Sequence, residues 1–194
     1  MKKRAVIVAM VAAMAMAQAT TAFAAGSTSG GGSGRATVSA TMADEVSITS
    51  NGTTTPSFGG AATVGDTDVA FVKGETHAVI GLPTNVMQTV GSINRNKSVA
   101  DVNTGLDLTG YNALIGTHAV MTYKAGTTVE KTGNVTIDIY VPNLISGLGD
   151  VEVLFYNNMT GKWQLIKPSA VNTGNKTITV TIPNSGTISV IYKK

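Results

Sequence analysis

The sequence predicts an all-β protein, an antiparallel β-sandwich with at most one short helix, preceded by a signal peptide and a flexible N-terminal arm. Three observations carry this expectation. Aliphatic and polar residues alternate in runs of about six, the usual length of a strand. Gly/Asn turn residues punctuate the runs. Helical periodicity is confined to one short stretch.

The chain opens on a leader. Lys2, Lys3 and Arg4 form a basic head, residues 5–17 are an apolar run, and Ala22-Phe23-Ala24 is a small-x-small exit. That is the pattern of a secretory signal peptide cleaved after Ala24 or Ala25, so residues 1–25 stand outside the fold. Residues 26–60 read as a Gly/Ser/Thr-rich arm. Within it, 26–34 is flexible coil by composition. Val38, Ala40 and Met42 alternate with Ser39 and Thr41 as one possible strand, and Val46 and Ile48 repeat the pattern before Asn51-Gly52 breaks it. Residues 53–60, with Pro56 and two glycines, read as loop.

The sandwich domain is expected over 61–194. Residues 68–72 and 77–82 read as strands. Pro83-Thr84 then begins the one helix, one or two turns through Val86, Met87 and Val90, which Gly91 weakens. Residues 94–110 are polar and turn-rich and receive no element; 117–124 is the next strand. The C-terminal third alternates most clearly. Val135, Ile137, Ile139 and Val141 share one face, with Thr136, Asp138 and Tyr140 on the other. Val151, Val153 and Phe155 repeat this with Glu152, Leu154 and Tyr156 opposite. Residues 157–162 are hairpin chemistry returning through 163–166. Asn172-Thr173-Gly174-Asn175 turns into 176–182, and Asn184-Ser185-Gly186 turns into Ile188, Val190 and Tyr192.

Residues 130–194 carry a resemblance. The run 134–142, the segment 151–156, the Thr160-Gly161-Lys162-Trp163 turn and the Ser/Thr-rich final strands resemble immunoglobulin-like β-sandwich modules of secreted and surface-layer proteins of Firmicutes. The resemblance implies fold and compartment, and roles as spacers, adhesins or assembly subunits. It brings no catalytic residues.

Composition narrows the function classes. Removing 25 of the 194 residues leaves 169, one ordinary domain plus a tail. Of 14 basic residues three sit in the leader, so the remainder balances the 11 acidic ones. No clustered basic face marks a nucleic-acid binder. The absence of cysteine excludes thiol chemistry, cysteine-ligated zinc and lipid attachment through a cysteine. After the leader no apolar run approaches the roughly 20 residues that cross a bilayer. The expected location is secreted or extracellular, with any cell-surface association non-covalent.

Candidate chemistry is sparse. His77 and His118 are the only histidines, and no Gly-x-Ser-x-Gly elbow accompanies them. Asp138 and Glu152, on neighbouring predicted strands, read as a solvated sheet face in preference to a glycosidase pair. Asp101, Asn103 and Asp107 place oxygen ligands two and four residues apart, as calcium loops do, but Gly105 and Leu106 break the pattern and Asx turns explain the residues equally well. Asp66-Thr67-Asp68 is a common turn into a strand. Trp163, Tyr156 and Tyr140 could stack on a sugar if Trp163 is exposed; the competing reading packs Trp163 between the sheets. Val38, Ala40 and Met42 could add to a neighbour's sheet edge, or pair within their own domain. No cofactor and no catalytic residue is expected. The expected role is structural or adhesive, with self or other surface proteins, or a cell-wall glycan, as partner. The alternative is an extracellular glycan- or protein-binding module.

Overall fold

The computed structural model describes residues 37–40, 46–50, 53–56, 61–72, 79–95 and 98–193. In chain order come β1 (Thr37–Ala40), β2 (Val46–Ser50), β3 (Thr53–Pro56), β4 (Ala61–Val64) and β5 (Thr67–Val72). Helix α1 (Thr84–Arg95) follows, then β6 (Tyr111–Ala113), β7 (His118–Lys124) and β8 (Val135–Tyr140). The remaining strands are β9 (Asp150–Asn157), β10 (Lys162–Ile166), β11 (Ala170–Asn172), β12 (Thr177–Ile182) and β13 (Gly186–Lys193). They form two sheets. Sheet A runs β11-β12-β8-β1-β2-β3; sheet B runs β10-β9-β13-β7-β5-β4, with β6 also on β13. The all-β sandwich expected from the alternation is the architecture found.

The core between the sheets follows from the period-two pattern. In β8, Val135, Ile137 and Ile139 are buried while Thr136, Asp138 and Tyr140 stay half-buried. Ile178, Val180 and Ile182 of β12 join them against Val69, Phe71, Val120, Val153, Phe155, Ile188 and Val190 of sheet B. Each buried aliphatic side chain contributes about 1.5–3 kcal/mol relative to exposure. The outer face of sheet A is held by polar ladders instead. Thr179 Oγ1 donates to Asp138 Oδ1 at 2.6 Å, and the Thr136 and Thr181 hydroxyls meet at 2.8 Å. Register pairs the same residues, Thr179 with Asp138 and Thr181 with Thr136.

Turn chemistry fixes the hairpins. Asn157 Oδ1 accepts from the backbone N–H of Met159 and Thr160 at 2.9 and 3.1 Å, and Gly161 takes φ +67°, so β9 returns as β10. Asn172 Oδ1 does the same for Gly174 and Asn175 between β11 and β12.

The structure departs from the sequence reading at several places. Residues 79–81 form a turn, not part of a strand. Helix α1 continues through Gly91 to Arg95, because Val86, Val90 and Ile93 recur at i, i+4 and i+7 and bury together; that packing outweighs the glycine's poor propensity. Residues 53–56, read as loop, are strand β3. The β1–β8 pairing is parallel, the one exception to antiparallel order among the described strands. Finally, Leu154 and Tyr156 are fully buried where an outer polar face was expected. They lie beneath α1, which with residues 98–110 forms a third layer on sheet B. In consequence β9 and β13 are buried on both faces.

Candidate functional site

Two regions among the described residues bear on function, the helix-covered face of sheet B and the sheet edges. Under α1 lies a second core, made of Val86, Val90, Ile93, Val99, Leu108, Leu154, Tyr156, Trp163 and Ile191. Trp163 and Tyr156 are register partners across β10 and β9, with ring centroids 5.2 Å apart and a 56° interplanar angle. Trp163 is 8% exposed, and its Nε1 is buried without a hydrogen-bond partner. Thr89 Oγ1 lies 3.0 Å from both the Asn85 and the Asn103 carbonyl oxygens. Its single proton is shared between the helix's own turn and the 98–110 segment, tying the two together.

The sugar-stacking candidates therefore separate. Trp163 packs against the helix on the outer side of sheet B, and not between the sheets. Tyr140 sits on the outer face of sheet A. Stacking needs a bare ring face, and the three rings share no surface.

The carboxylates separate as well. Glu152 and Asp138 belong to different sheets, correcting the neighbouring strands read from the sequence, and the sheets lie about 10 Å apart. Glu152 Oε2 accepts from the Tyr111 hydroxyl at 2.6 Å, and Lys193 Nζ lies 5.4 Å from the centre of the Tyr111 ring. This hydrogen bond, followed by partial burial and the neighbouring acids, pushes the Tyr111 phenol up to about 12. Burial, then the charge of Glu130, raises Tyr123 to about 12. The buried Asp68 bridges two elements, accepting from Thr63 Oγ1 at 2.6 Å and from Gly126 N at 2.8 Å. Asp66 forms an exposed ion pair with Lys131, whose hydrogen bond and charge lower its pKa.

In the calcium-like stretch, Asp107 Oδ1 accepts from Thr109 N at 3.0 Å, an Asx turn. Hydrogen bonds from the Thr109 side chain and backbone hold its carboxyl below the usual range, and Lys193 adds to the effect. Asn103 contributes its carbonyl to Thr89. Among the described residues no group of three or more His, Cys, Asp or Glu could hold a metal ion. His118 faces the inner core, its ring 6.0 Å from Phe71 and its Nδ1 3.0 Å from the Gly116 carbonyl. A carbonyl only accepts, so Nδ1 carries the proton there. His77 and Met42 lie outside the described residues, as does the leader. Val38 and Ala40 fall in β1. Val38 registers with Ile48 on one side and Ile139 on the other, and Ala40 registers with Val46. Strand β1 thus sits inside a sheet of its own chain.

The sheet edges differ in character. Edge strand β10 is flanked by Lys162 and by Lys167-Pro168, and β3 ends in Pro56, features that discourage pairing with another chain. Edge strand β11 has only three residues and exposes Val171. The one helix was expected, but the layer it builds with the following segment over sheet B was not, although that layer left a signal. Val99, Val102, Leu106 and Leu108 recur through a polar stretch, and residues 153–156 are four consecutive apolar positions, marking a strand covered on both sides. Among the described residues no helix is long and apolar enough to cross a membrane. No family model, curated protein or solved structure matches the chain.

Proposed function

We propose that the chain is an exported, non-enzymatic β-sandwich with a structural or adhesive role at the cell surface or in the extracellular matrix. The leader pattern in residues 1–25 supports export. The observation that carries the rest is how the polar candidates are used. Asp138, Glu152 and Asp107 each accept a hydrogen bond from a neighbour in the fold. His118 sits on the inner face beside Phe71. These groups lie on separate faces and tie strands and turns together; they do not converge. The partners in this reading are copies of the same chain or other surface proteins. A glycan platform on Trp163 gains no support from a ring packed beneath α1.

Cell fractionation with antibody detection tests the proposal, comparing the intact chain with one lacking residues 1–25. The intact chain should appear outside the cell, shortened by its leader, and the deletion should keep it inside. An intact chain retained inside with its leader uncut would refute export. Turnover of a glycoside or ester by the purified protein would refute the non-enzymatic assignment.

A further inference from the structure

We propose that Asn175, in the turn between β11 and β12, is the acceptor of an asparagine-linked glycan added during export. The proposal rests on the exported role above and adds a modification site to it. Five stretches of the chain read Asn-x-Ser/Thr without proline in the middle, a spacing that brings a hydroxyl within reach of the asparagine amide. Those at Asn51 and Asn96 lie outside the described residues. The other three begin at Asn134, Asn158 and Asn175. Exposure and hydrogen bonding choose among them. Asn158 is half-buried in the β9–β10 hairpin and its Oδ1 is enclosed by protein, so a sugar on that amide would crowd the fold. Asn134 is exposed, but the Thr136 hydroxyl two residues on meets the Thr181 hydroxyl at 2.8 Å. At Asn175 both conditions coincide. The residue is exposed, and Thr177 Oγ1 donates to its Oδ1 at 2.5 Å. That contact uses the amide oxygen, not the nitrogen that takes the sugar.

The turn is also held in place. Asn172 Oδ1 accepts from the Asn175 backbone N–H at 3.2 Å, and Lys176, at φ +58°, donates its ammonium to the Pro142 carbonyl at 2.8 Å. The neighbourhood gives a glycan something to do. Strand β11 is an edge of sheet A with three exposed, uncharged residues, and Val171 is 46% exposed. Ile145, 59% exposed, adjoins Ser146, whose hydroxyl meets that of Thr173 in the same turn at 3.3 Å. An uncharged edge beside exposed aliphatic side chains is open to pairing with another chain. A hydrophilic glycan on the adjoining turn screens it. The donor in this proposal is a lipid-pyrophosphate-linked sugar. Asn175 Nδ2 bonds to the sugar C1 as the C1–O bond breaks; the lipid pyrophosphate leaves, and the amide proton passes to a base of the membrane transferase.

Peptide mass spectrometry of the full chain, isolated from the medium and surface of the cells that make it, tests the site. The peptide holding Asn175 should gain the mass of whole sugar residues, and fragmentation should place them on Asn175. Asn175→Gln and Thr177→Ala should each abolish the gain, whereas Thr177→Ser, which keeps the hydroxyl, should retain it. Urea melts followed by Trp163 fluorescence should match the parent, showing that the variants fold. A chain that is exported and shortened yet bare at Asn175 overturns the site and leaves export standing. Sugar on Asn134 or on a threonine hydroxyl, with Asn175 bare, overturns it equally. A chain held inside the cell with its leader uncut refutes export, and the site with it.

Discussion

Replacing Gly186 by alanine tests the packing of sheet B at its most crowded point. Gly186 opens β13, opposite Asn157 of β9. A Cβ there would lie 2.3 Å from the Tyr156 carbonyl oxygen, 2.5 Å from Phe155 Cζ and 2.8 Å from Phe155 Cε2. Neither neighbour can yield easily. The carbonyl belongs to the backbone of a strand flanked by β10 and β13, and Phe155 is fully buried in the main core. Overpacking of a tight core costs about 1–3 kcal/mol, occasionally more. Loss of one ladder hydrogen bond adds about 1 kcal/mol. Against this, alanine restricts the unfolded chain and returns about 0.4–1 kcal/mol. The net expectation is a loss of about 1–4 kcal/mol. With a urea dependence of about 2 kcal/mol per molar, the unfolding midpoint should fall by about 0.5–2 M. Trp163 is the sole tryptophan and is buried, so its fluorescence reports the transition. Gly65→Ala is the control, since nothing lies within 4 Å of its Cβ position and only its φ of +61° opposes the change, at about 1–2 kcal/mol. A Gly186→Ala protein that melts with the parent would show that the close approach of β13 to β9 is misplaced.

Further outcomes follow from other contacts. Trp163→Ala should cost about 3–5 kcal/mol by emptying the space beneath α1. Trp163→Phe should cost clearly less, because it also removes a buried indole N–H with no partner; equal losses in denaturant melts would contradict this. Thr89→Val should cost about 1 kcal/mol and speed amide hydrogen exchange in residues 98–110, while the β12 amides keep their protection. The raised phenols of Tyr111 and Tyr123 give a pH dependence of known sign. Their folded pKa values, about 12, exceed the ordinary 10, so their contribution to stability is complete below pH 10 and is lost as pH rises toward 12. Phenolate absorbance during alkaline titration should show a late component that Tyr111→Phe and Tyr123→Phe each reduce.

Period-two alternation made β8, β12 and the inner half of β9 legible, because a strand with one buried face writes that face into every second residue. The same rule concealed the third layer. Leu154 and Tyr156 looked like an outer face because they alternate with Val153 and Phe155, yet a helix covers them. The helix was undervalued because local propensity penalises Gly91, whereas the decisive term, burial of Ile93 beyond it, is tertiary. Sheet membership was equally hidden. Nothing local in the sequence says that Asp138 and Glu152, only 14 residues apart, end on opposite sides of the molecule. The scattered carboxylates could be doubted from the sequence, but the hydrogen bonds that occupy them appear only in three dimensions.

The position of β13 has a consequence for biogenesis. This strand is the last of the described chain to be synthesised, yet it lies between β9 and β7 at the middle of its sheet. Until it arrives, β9 and β7 have no common partner, and the two halves of that sheet cannot be joined. The N-terminal β1 likewise waits for β8, almost a hundred residues later. Such long-range closures are slow, because loop entropy is lost before any contact compensates it. The fold is therefore expected to close late, only once β13 is available to pair with both β9 and β7.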